Sequence, residues 1–424
     1  MRVIDTETFL KECKLKSSQD VDFELDRTVL SIIENVRKKG DAALHSYTEQ
    51  FDGVLLTEIV VSENEFIEAN EAVSESFRTA IRRAKERITA FHFEQKERSW
   101  FIGEKDGVLL GQQVTPIERV GIYVPGGKAA YPSTVLMNAL PAKIAGVEQI
   151  VIATPPQPDG KVNPYVLVAA KEAGVDRVYK MGGAQAIAAL AYGTESIERV
   201  MKITGPGNAY VARAKKWVFG DVAIDMIAGP SEICIVADET AKVEYVAADL
   251  LSQAEHDERA TAICITTNKK FAHKLSNEVQ KQLLNLERAS IAASSIEAQG
   301  RIIVTNSIEE SLQLLNDIAP EHLQLMVNKP MELLPKICNA GAIFLGNYSP
   351  EALGDYMAGP NHTLPTSGTA AFSSPLGVYD FVKRSSIIHF TNEAFNIVAE
   401  DVVQLAAAEG LAGHANSISI RKGG

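Results

Sequence analysis

The chain has 424 residues, a formal net charge of -12 and a hydrophobic content of 46%. This length is enough for two or three domains with a substantial core, and the composition is that of an ordinary globular protein rather than a disordered one. The excess of acidic residues excludes an overall basic field for nucleic acid or anionic lipid, although a local basic patch stays open. Four widely spaced cysteines without a CxxC pair indicate neither a disulfide framework nor a cysteine zinc site.

The N-terminal hundred residues predict a helical region without a signal peptide. The opening sequence MRVIDTETFLKECK lacks the apolar core of a signal peptide, and no apolar run approaches the ~20 residues of a membrane-spanning helix. The corresponding prediction is a cytoplasmic location. Apolar positions recur at helical spacing in segments such as VLSIIENVRKKGDAALHSYTEQF, which predicts a helical start to the fold.

From Arg119 onward, short β-branched runs alternate with glycine turns and alanine-rich helical stretches. The first series contains VGIYVPGG, QIVIATP, RVYKMGG and VMKITGPG; the second, after AGPSEI, contains EICIVAD, TAICITT, RIIVT, HLQLMV and AIFLG. This alternation predicts two α/β domains with parallel sheets covered by helices. The segment from Tyr379 predicts a helix that ends near Glu409 and is capped by Gly410. Because this tail is too short to fold alone, it must pack on its own chain or on a neighbouring subunit.

Glycine clusters follow three strands of the first series. Each opens a helix, where backbone N–H groups and the positive helix end favour a phosphate. None completes GxGxxG, so tight turns that need a positive φ are the simpler explanation for most of them. Asn208 and Tyr210 place polar groups beside the third cluster and favour a binding loop there. The clusters are Gly126 with Gly127, Gly182 with Gly183, and Gly205 with Gly207.

A second group of polar residues could hold a metal ion. Gln253 and His256 are three residues apart on a predicted helix and so face the same side, although such a pair also occurs on ordinary solvated surfaces. A set of nitrogen and oxygen donors without cysteine suits a catalytic zinc or another divalent ion. Loops and helix ends supply further candidate donors: Asp355 and His362 in GDYMAGPNH, and Glu409 and His414 in EGLAGHANS.

The sequence PEHLQLM places Glu321 and His322 side by side at the entrance to a strand. In the turn before the strand, both side chains can reach one cleft. A carboxylate and an imidazole supply bases of different strength for two proton transfers. The alternative is a surface glutamate beside a structural histidine. The remaining histidines have no comparable neighbours and are expected to be structural: His45, His92, His273 and His389.

In order and spacing over nearly the whole chain, these motifs closely resemble the histidinol dehydrogenase family. The resemblance implies a zinc-containing, NAD-dependent oxidoreductase that converts L-histidinol to L-histidine through L-histidinal in two steps, closing histidine biosynthesis. The strings that carry it are VGIYVPGGKAAYPS, MGGAQAIAALAYGT, GPGNAYVARAK, AGPSEI, DLLSQAEHD, PEHLQL and GDYMAGPNHTLPTSGTAAFSSPLGVYDF.

Carried over by matching motif, the resemblance also implies roles for individual residues. The implied zinc ligands are Gln253, His256, Asp355 and His414. The implied substrate contacts are these four ligands together with Ser231, His322, His362 and Glu409. The implied NAD contacts are Tyr123, Gln185 and Asn208, and Glu321 and His322 are the implied catalytic residues. A homodimer is implied as well, in which the C-terminal segment crosses over so that Glu409 and His414 complete the neighbour's site.

The residue types fit this chemistry. The imidazole and the amine of histidinol can bind a zinc ion held by nitrogen and oxygen donors, so that the metal acts chiefly as a template. Neutral His322 is the expected base for the hydroxyl proton of histidinol. At the aldehyde stage, Glu321 is expected to activate water with help from His322, while His362 holds the oxygen substituents.

The expected fold class is α/β. It comprises two Rossmann-like, incomplete α/β domains with parallel-type sheets, a helical N-terminal segment, and a small C-terminal extension exchanged in a dimer. The expected domains are a helical segment at 1–19, a first α/β domain at 20–122 and 231–376 with the metal and catalytic residues, a second α/β domain at 123–230 with the NAD loops, and a dimerisation tail at 377–424.

Two other functions use part of the same residues. A zinc-dependent hydrolase of a small nitrogenous substrate would use Glu321 to activate a metal-bound water. The strand-turn-helix glycine loops argue against it, because a hydrolase has no use for a dinucleotide. A non-enzymatic nucleotide-binding module would leave Glu321, His322 and the metal donors without a purpose.

Overall fold

The computed structural model describes residues 1–16, 22–126 and 130–422. Its strands are β1 Arg2–Asp5, β2 Trp100–Lys105, β3 Val108–Pro116, β4 Arg119–Tyr123, β5 Gln149–Thr154, β6 Arg177–Lys180, β7 Lys202–Thr204, β8 Ala223–Ile224, β9 Glu232–Ala237, β10 Thr261–Thr266, β11 Arg301–Val304, β12 His322–Met326, β13 Ala342–Leu345 and β14 Val382–Phe390.

The helices are α1 Thr6–Lys16, α2 Phe23–Lys39, α3 Asp41–Asp52, α4 Glu63–Ala72, α5 Glu75–Phe93, α6 Pro132–Ala145, α7 Pro164–Ala173, α8 Gly183–Tyr192, α9 Ala209–Val218, α10 Val243–Ala254, α11 Lys269–Leu283, α12 Ala289–Ala298, α13 Ile308–Ile318, α14 Pro330–Leu333, α15 Glu351–Leu353, α16 Asn392–Ala408 and α17 Ala412–Ser419. A π-helical turn, Gly354–Ala358, follows α15 directly. Among the described residues, no helix combines the length and the apolar character that a membrane span requires.

The chain divides into two compact units. The larger unit comprises Met1–Gln95 and Ile117–Phe381, and the smaller unit comprises Lys96–Pro116 and Val382–Gly424. The larger unit contains two separate parallel sheets, and the smaller unit contains one antiparallel sheet.

The first parallel sheet has five strands in the order β6-β5-β4-β7-β8. Its strands are short apolar runs, and alternate residues enter the cores on opposite faces. On β5, Ile150 and Ile152 pack with α6 and α7 residues, whereas Val151 and Ala153 pack with α8 residues. Burial on both faces explains why the sequence shows continuous apolar runs rather than an alternation of apolar and polar residues.

The second parallel sheet has six strands in the order β1-β11-β10-β9-β12-β13. If β1 is set aside, its strands follow the chain in the same 3-2-1-4-5 arrangement as the five-stranded sheet. Strand β1 adds to the outer edge, in parallel register with β11. The predicted pair of incomplete Rossmann-like sheets is confirmed.

Sheet membership differs from the predicted domain boundaries in two places. Residues 20–122 were expected to join 231–376, but α2 packs on α8 and α9, α4 packs on α7, and α5 packs on α6 and α7, all beside the five-stranded sheet. Segment 1–19 was expected to be helical. Thr6–Lys16 is a helix, but Arg2–Asp5 forms a strand of the six-stranded sheet, and residues 17–19 lie outside the described residues. An amphipathic helix does not encode which sheet it covers, and a four-residue strand is too short to show a period.

The smaller unit is a three-stranded antiparallel sheet, in the order β14-β3-β2, with helices α16 and α17. The predicted helix end is confirmed, since Glu409 is the C-cap of α16 and Gly410 has φ +73°. The β2–β3 hairpin was not predicted. The sequence does mark this hairpin, because Asp106 and Gly107 stand between two apolar runs. The two residues form the turn with φ values of 58° and 77°.

Candidate active site and cofactor crevice

The candidate acid–base pair lies at the amino ends of two neighbouring strands. Strand β9 begins at Glu232 and β12 begins at His322, and the two strands pair in parallel with His322 opposite Ile233. Ser231, just before β9, and Glu321, just before β12, therefore lie at the same edge of the six-stranded sheet. Glu321 and His322 are both buried, which excludes the alternative of a surface glutamate.

The surroundings of His322 fix its tautomer. Its Nδ1 atom lies 2.9 Å from the carbonyl oxygen of Glu232, which can only accept, so Nδ1 carries the proton. The lone pair is therefore on Nε2, a buried atom without a hydrogen-bond partner among the described residues. Burial lowers the pKa of His322 and favours the neutral imidazole. The result is a neutral base with a free acceptor atom.

Glu321 is held beside this imidazole. Its Oε2 atom accepts the backbone N–H of Glu232 at 2.8 Å and lies 3.6 Å from Nδ1 of His322. Burial raises the pKa of the Glu321 carboxyl well above its usual value, and the nearby Glu232 and Glu351 carboxylates raise it further. A buried carboxyl group with a raised pKa is a stronger base, once ionised, than an exposed one.

Candidate metal donors meet near this pair. One ligand atom each from His256, Glu351 and Asp355 lies within 4.8 Å of the others. Glu351 is buried, and the pKa of its carboxyl is raised well above the usual value by burial and by the Asp355 and Asp249 carboxylates. A divalent cation would offset this crowding of negative charge, so the donor set fits a metal ion.

Gln253 lies on α10 and is completely buried. With its amide nitrogen turned toward Glu351, it donates to Glu351 Oε1 at 3.1 Å, and its oxygen is left as a possible ligand atom. The same nitrogen then lies 3.2 Å from His322 Nδ1, a contact that is no hydrogen bond, because Nδ1 carries the proton that it donates to the Glu232 carbonyl. The structure therefore brings together three of the four predicted ligands, Gln253, His256 and Asp355, and adds Glu351. One sequence signal could have indicated Glu351. It lies four residues before Asp355, and residues four apart on a helix face the same side, as do residues three apart such as Gln253 and His256.

His362 joins this site to the five-stranded sheet. Its Nδ1 atom donates to the carbonyl oxygen of Asp355 at 3.1 Å, so Nε2 is free to accept from the Thr134 hydroxyl, 3.3 Å away on α6. Burial lowers the pKa of His362 and favours its neutral form. The predicted residues Glu409 and His414 belong to the smaller unit, where both are exposed.

The predicted NAD residues surround the switch point of the five-stranded sheet. Strands β4 and β7 are neighbours here, although β5 and β6 come between them in the chain, and ligands of such sheets bind outside the carboxyl ends at this point. Tyr123 ends β4, and its hydroxyl accepts the N–H of Gly183 at 3.1 Å. Asn208 caps α9 by accepting the N–H of Val211. Gln185 on α8 is 1% exposed, and its Oε1 atom has no hydrogen-bond partner among the described residues.

The glycines of this edge serve two purposes. Gly183 and Gly205 have positive φ, as expected for tight turns. Gly126 and Gly182 instead allow close approach, because a Cβ atom on either would lie 2.5 or 2.8 Å from the Pro155 side chain. The predicted turn explanation therefore holds for only part of the set. Gly127 lies outside the described residues.

The two parallel sheets, the switch point between β4 and β7, and the buried pair of Glu321 and His322 fit an α/β enzyme that binds a nucleotide cofactor. Residues 15–422 match the family model described as histidinol dehydrogenase. The chain belongs to the histidinol dehydrogenase family. Membership confirms the prediction of an NAD-dependent oxidoreductase of histidine biosynthesis over the hydrolase alternative.

Individual relatives match over nearly the full length of the chain. The chain is 56% identical over 422 residues to histidinol dehydrogenase of Oceanobacillus iheyensis, covering 100% of this chain and 99% of the relative. It is 55% identical over 412 residues to that of Listeria monocytogenes, covering 97% and 96%. The crystal structure of histidinol dehydrogenase from Elizabethkingia anophelis matches with a TM-score of 0.94 at 40% identity, covering 99% of this chain and 97% of that one.

Proposed function

We propose that this chain oxidises L-histidinol to L-histidine through L-histidinal, with two successive hydride transfers to NAD, as the last step of histidine biosynthesis. The observation that carries the proposal is the buried, neutral His322, whose Nε2 atom has no hydrogen-bond partner among the described residues. A buried acceptor without a partner is rare in a folded protein and is accounted for by a substrate hydroxyl. A cytoplasmic location belongs to the same proposal.

In the first half-reaction, the hydroxyl of histidinol loses a proton and the carbinol carbon loses a hydride to NAD. His322 Nε2 takes the proton, because its partner nitrogen is already committed to the Glu232 carbonyl. The products are histidinal, NADH and one proton. Burial of the imidazole keeps it neutral and ready to accept.

In the second half-reaction, water adds to the aldehyde, and the hydrated aldehyde loses a second hydride and a second proton. Glu321 removes a proton from the water, with His322 assisting and His362 holding the oxygen substituents. The backbone bond from Glu232 to Glu321 Oε2 holds one carboxyl oxygen in place. The other oxygen, Oε1, is left for the water.

A divalent metal, for which we propose zinc, would be held by Gln253, His256 and Asp355 together with His414 of the partner subunit. When bound, it would position the imidazole and amine nitrogens of histidinol. Glu351 would orient the Gln253 amide, as an outer carboxylate commonly does for a metal ligand. Ser231 and Glu409 are the remaining proposed substrate contacts.

The NAD site is proposed at the carboxyl edge of the five-stranded sheet, with contacts from Tyr123, Gln185 and Asn208. The buried Gln185 Oε1 atom supports this assignment, since a bound cofactor can supply the donor that the described residues do not. Burial raises the pKa of the Tyr123 hydroxyl to about 12, so that group stays protonated and can donate.

A homodimer that shares its active sites is part of the proposal. The smaller unit exposes large apolar side chains on its sheet and on α16, and exposed apolar patches on a protein are typical of interfaces. Examples are Phe101 at 55%, Ile388 at 71%, Ile397 at 75% and Leu405 at 68% exposure. A second copy of the chain would cover them and receive Glu409 and His414.

The test is the stoichiometry of the reaction. The purified protein is incubated with histidinol and NAD, NADH is followed by its absorbance, and histidine is quantified by chromatography. We expect two NADH for each histidine formed. One NADH per molecule of an aldehyde product, or histidinol consumed without any NADH, would contradict the proposal.

A further inference from the structure

A buried ion pair lies directly behind the loop that follows β7. The Lys215 side chain on α9 is 2% exposed, and the side chain of Asp225, just after β8, is 1% exposed. Lys215 Nζ contacts Asp225 Oδ1. The mechanism proposed above uses neither residue.

Both members of the pair bind the same glycine. Lys215 Nζ donates to the carbonyl oxygen of Gly205 at 2.9 Å, and Asp225 Oδ2 accepts the N–H of Gly205 at 2.8 Å. Asp225 Oδ1 also accepts the N–H of Met226 at 2.6 Å. The two peptide groups that flank Gly205 are therefore fixed in direction by a cation on one side and an anion on the other.

The backbone at Gly205 is closely enclosed. Its φ is +107°, and a Cβ atom in its place would lie 2.1 Å from the carbonyl oxygen of Tyr123. The backbone of this loop thus lies against the end of β4, at the switch point of the sheet. Asn208, the N-cap of α9, follows three residues later. The orientation of the Gly205 peptides therefore decides where the loop and the start of α9 lie.

The fold alone does not require charges at this position. The neighbouring core is apolar, with Ile203, Val211 and Ala214 all fully buried. Taking two charges out of water is costly, and an apolar pair of similar volume is often as stable. What an apolar pair cannot do is hold an N–H and a carbonyl of one glycine at the same time.

We propose that Lys215 and Asp225 are positioning residues for NAD, which hold the Gly205–Asn208 loop in the conformation that binds the cofactor. This inference rests on the proposed NAD site. The pair acts through the loop and contacts no reacting atom. Its loss should therefore weaken NAD binding while leaving histidinol binding and the chemical step largely intact.

The experiment compares Lys215→Met with Lys202→Met. Lys202 begins β7, the strand that leads into Gly205, and lies at the end of that strand away from the loop. It makes a comparable ion pair with Asp380 at 3.1 Å, and 9% of its side chain is exposed. NAD binding is measured by calorimetry, and KM values for NAD and histidinol are measured separately. Because a hydrogen bond to a charged group is lost, we expect Lys215→Met to raise the Kd and KM for NAD about tenfold. The KM for histidinol and kcat at saturating NAD should change about twofold at most, and Lys202→Met should leave the Kd for NAD unchanged.

An equal change in NAD affinity in both variants, or no change in either, would overturn the inference. If Lys215→Met does not fold, Asp225→Asn decides the question, because it keeps the volume and one acceptor oxygen but loses the charge. A several-fold rise in the Kd for NAD supports the inference, and an unchanged Kd overturns it. A wild-type protein that does not bind NAD would overturn the proposed function as well, whereas normal wild-type binding with unaffected variants overturns this inference alone.

Discussion

The two parallel sheets of the larger unit share a strand order but carry their candidate functional residues at opposite edges. In the five-stranded sheet, Tyr123 and the Gly205 loop lie at the carboxyl ends of β4 and β7. In the six-stranded sheet, Glu321 and His322 lie at the amino ends of β12 and β9. A cavity of about 250 Å³ lies at the carboxyl edge of that sheet, lined by residues such as Asp238 and Asn328. Strand order alone therefore does not locate a site.

The connection between the sheets explains the difference. Strand β8 ends at Ile224 and β9 begins at Glu232, so seven residues join the carboxyl edge of one sheet to the amino edge of the other. Such a segment spans at most ~25 Å. Two hydrogen bonds show the edges in contact, from Thr134 on α6 to His362 and from the Gly229 N–H to Thr366. A cofactor at the first edge can thus meet a substrate at the second.

Loss of the base His322 tests whether the two edges have different roles. His322→Asn removes the proton acceptor, so kcat for both half-reactions should fall about a thousandfold, within the range typical of a general base. The Kd for NAD should stay within about twofold of the wild-type value. Asn208→Ala is the matched variant at the other edge and should raise the KM for NAD while changing kcat little. Steady-state kinetics with either histidinol or histidinal, together with calorimetry, give both quantities. A large loss of NAD affinity in His322→Asn would contradict the division.

Within the amino edge, Glu321 and His322 are expected to serve different steps of the reaction. Glu321→Gln keeps the shape of the side chain but removes a base that only the hydrated aldehyde needs. We expect oxidation of histidinal to slow about a hundredfold, and oxidation of histidinol much less. Single-turnover assays started from each substrate measure the two steps. Equal slowing of both steps, or slowing of the alcohol step alone, would make the assignment wrong.

Metal retention tests the donor group at the same edge. Glu351→Gln removes one negative charge from the group and weakens the hold on the Gln253 amide. We expect zinc affinity to fall about 10- to 100-fold, as is usual for an outer-shell carboxylate. Titration with a competing chelator measures it, and NAD affinity serves as the internal control. Unchanged zinc affinity, or an equal loss of NAD affinity, would argue against this role for Glu351.

Sharing of the site between subunits predicts a partial recovery of activity. His256→Asn and His414→Asn chains, each inactive alone, are unfolded together and reassembled. In a mixed dimer with exchanged tails, one site carries both changes and the other carries none. Random mixing makes about half of the dimers mixed, so about a quarter of wild-type activity should return. No recovery in a sample shown to contain mixed dimers would reject the exchange.

The smallest effect concerns stability beside the carboxyl edge. Asp52 ends α3, its Oδ2 atom is buried without a partner among the described residues, and burial raises its pKa to about 6. An unfolded aspartate has a pKa of ~3.9, so ionisation of Asp52 is harder in the folded state and destabilises it. This destabilisation is absent below about pH 4 and complete above about pH 6. Asp52→Asn should therefore raise the free energy of unfolding by about 1 kcal/mol at pH 8, after allowance for partial exposure, and by less at pH 5. Urea unfolding at both pH values measures the gain, and an equal gain at both would contradict this origin.

The sequence predicted the features that depend on local pattern. Apolar β-branched runs predicted parallel strands, Gly410 predicted the end of α16, and the adjacency of Glu321 and His322 predicted a pair in one cleft. Features that depend on distant packing were not predictable in the same way. Glu351 joins the group of candidate metal donors only because the turn that carries Asp355 folds beside His256. The helices before residue 95 show the same limit, because nothing in their pattern states which sheet they cover.

A crystal structure with NAD and histidinol bound would show whether the carboxyl edge of the five-stranded sheet and the amino edge of the six-stranded sheet form one cleft. We expect the pyrophosphate near the Gly205 loop and Asn208. We also expect the carbinol carbon of histidinol within about 4 Å of the nicotinamide ring, with its hydroxyl at His322 Nε2. NAD bound instead in the cavity beside Asp238 and Asn328, at the carboxyl edge of the six-stranded sheet, would show that the two edges do not share a site.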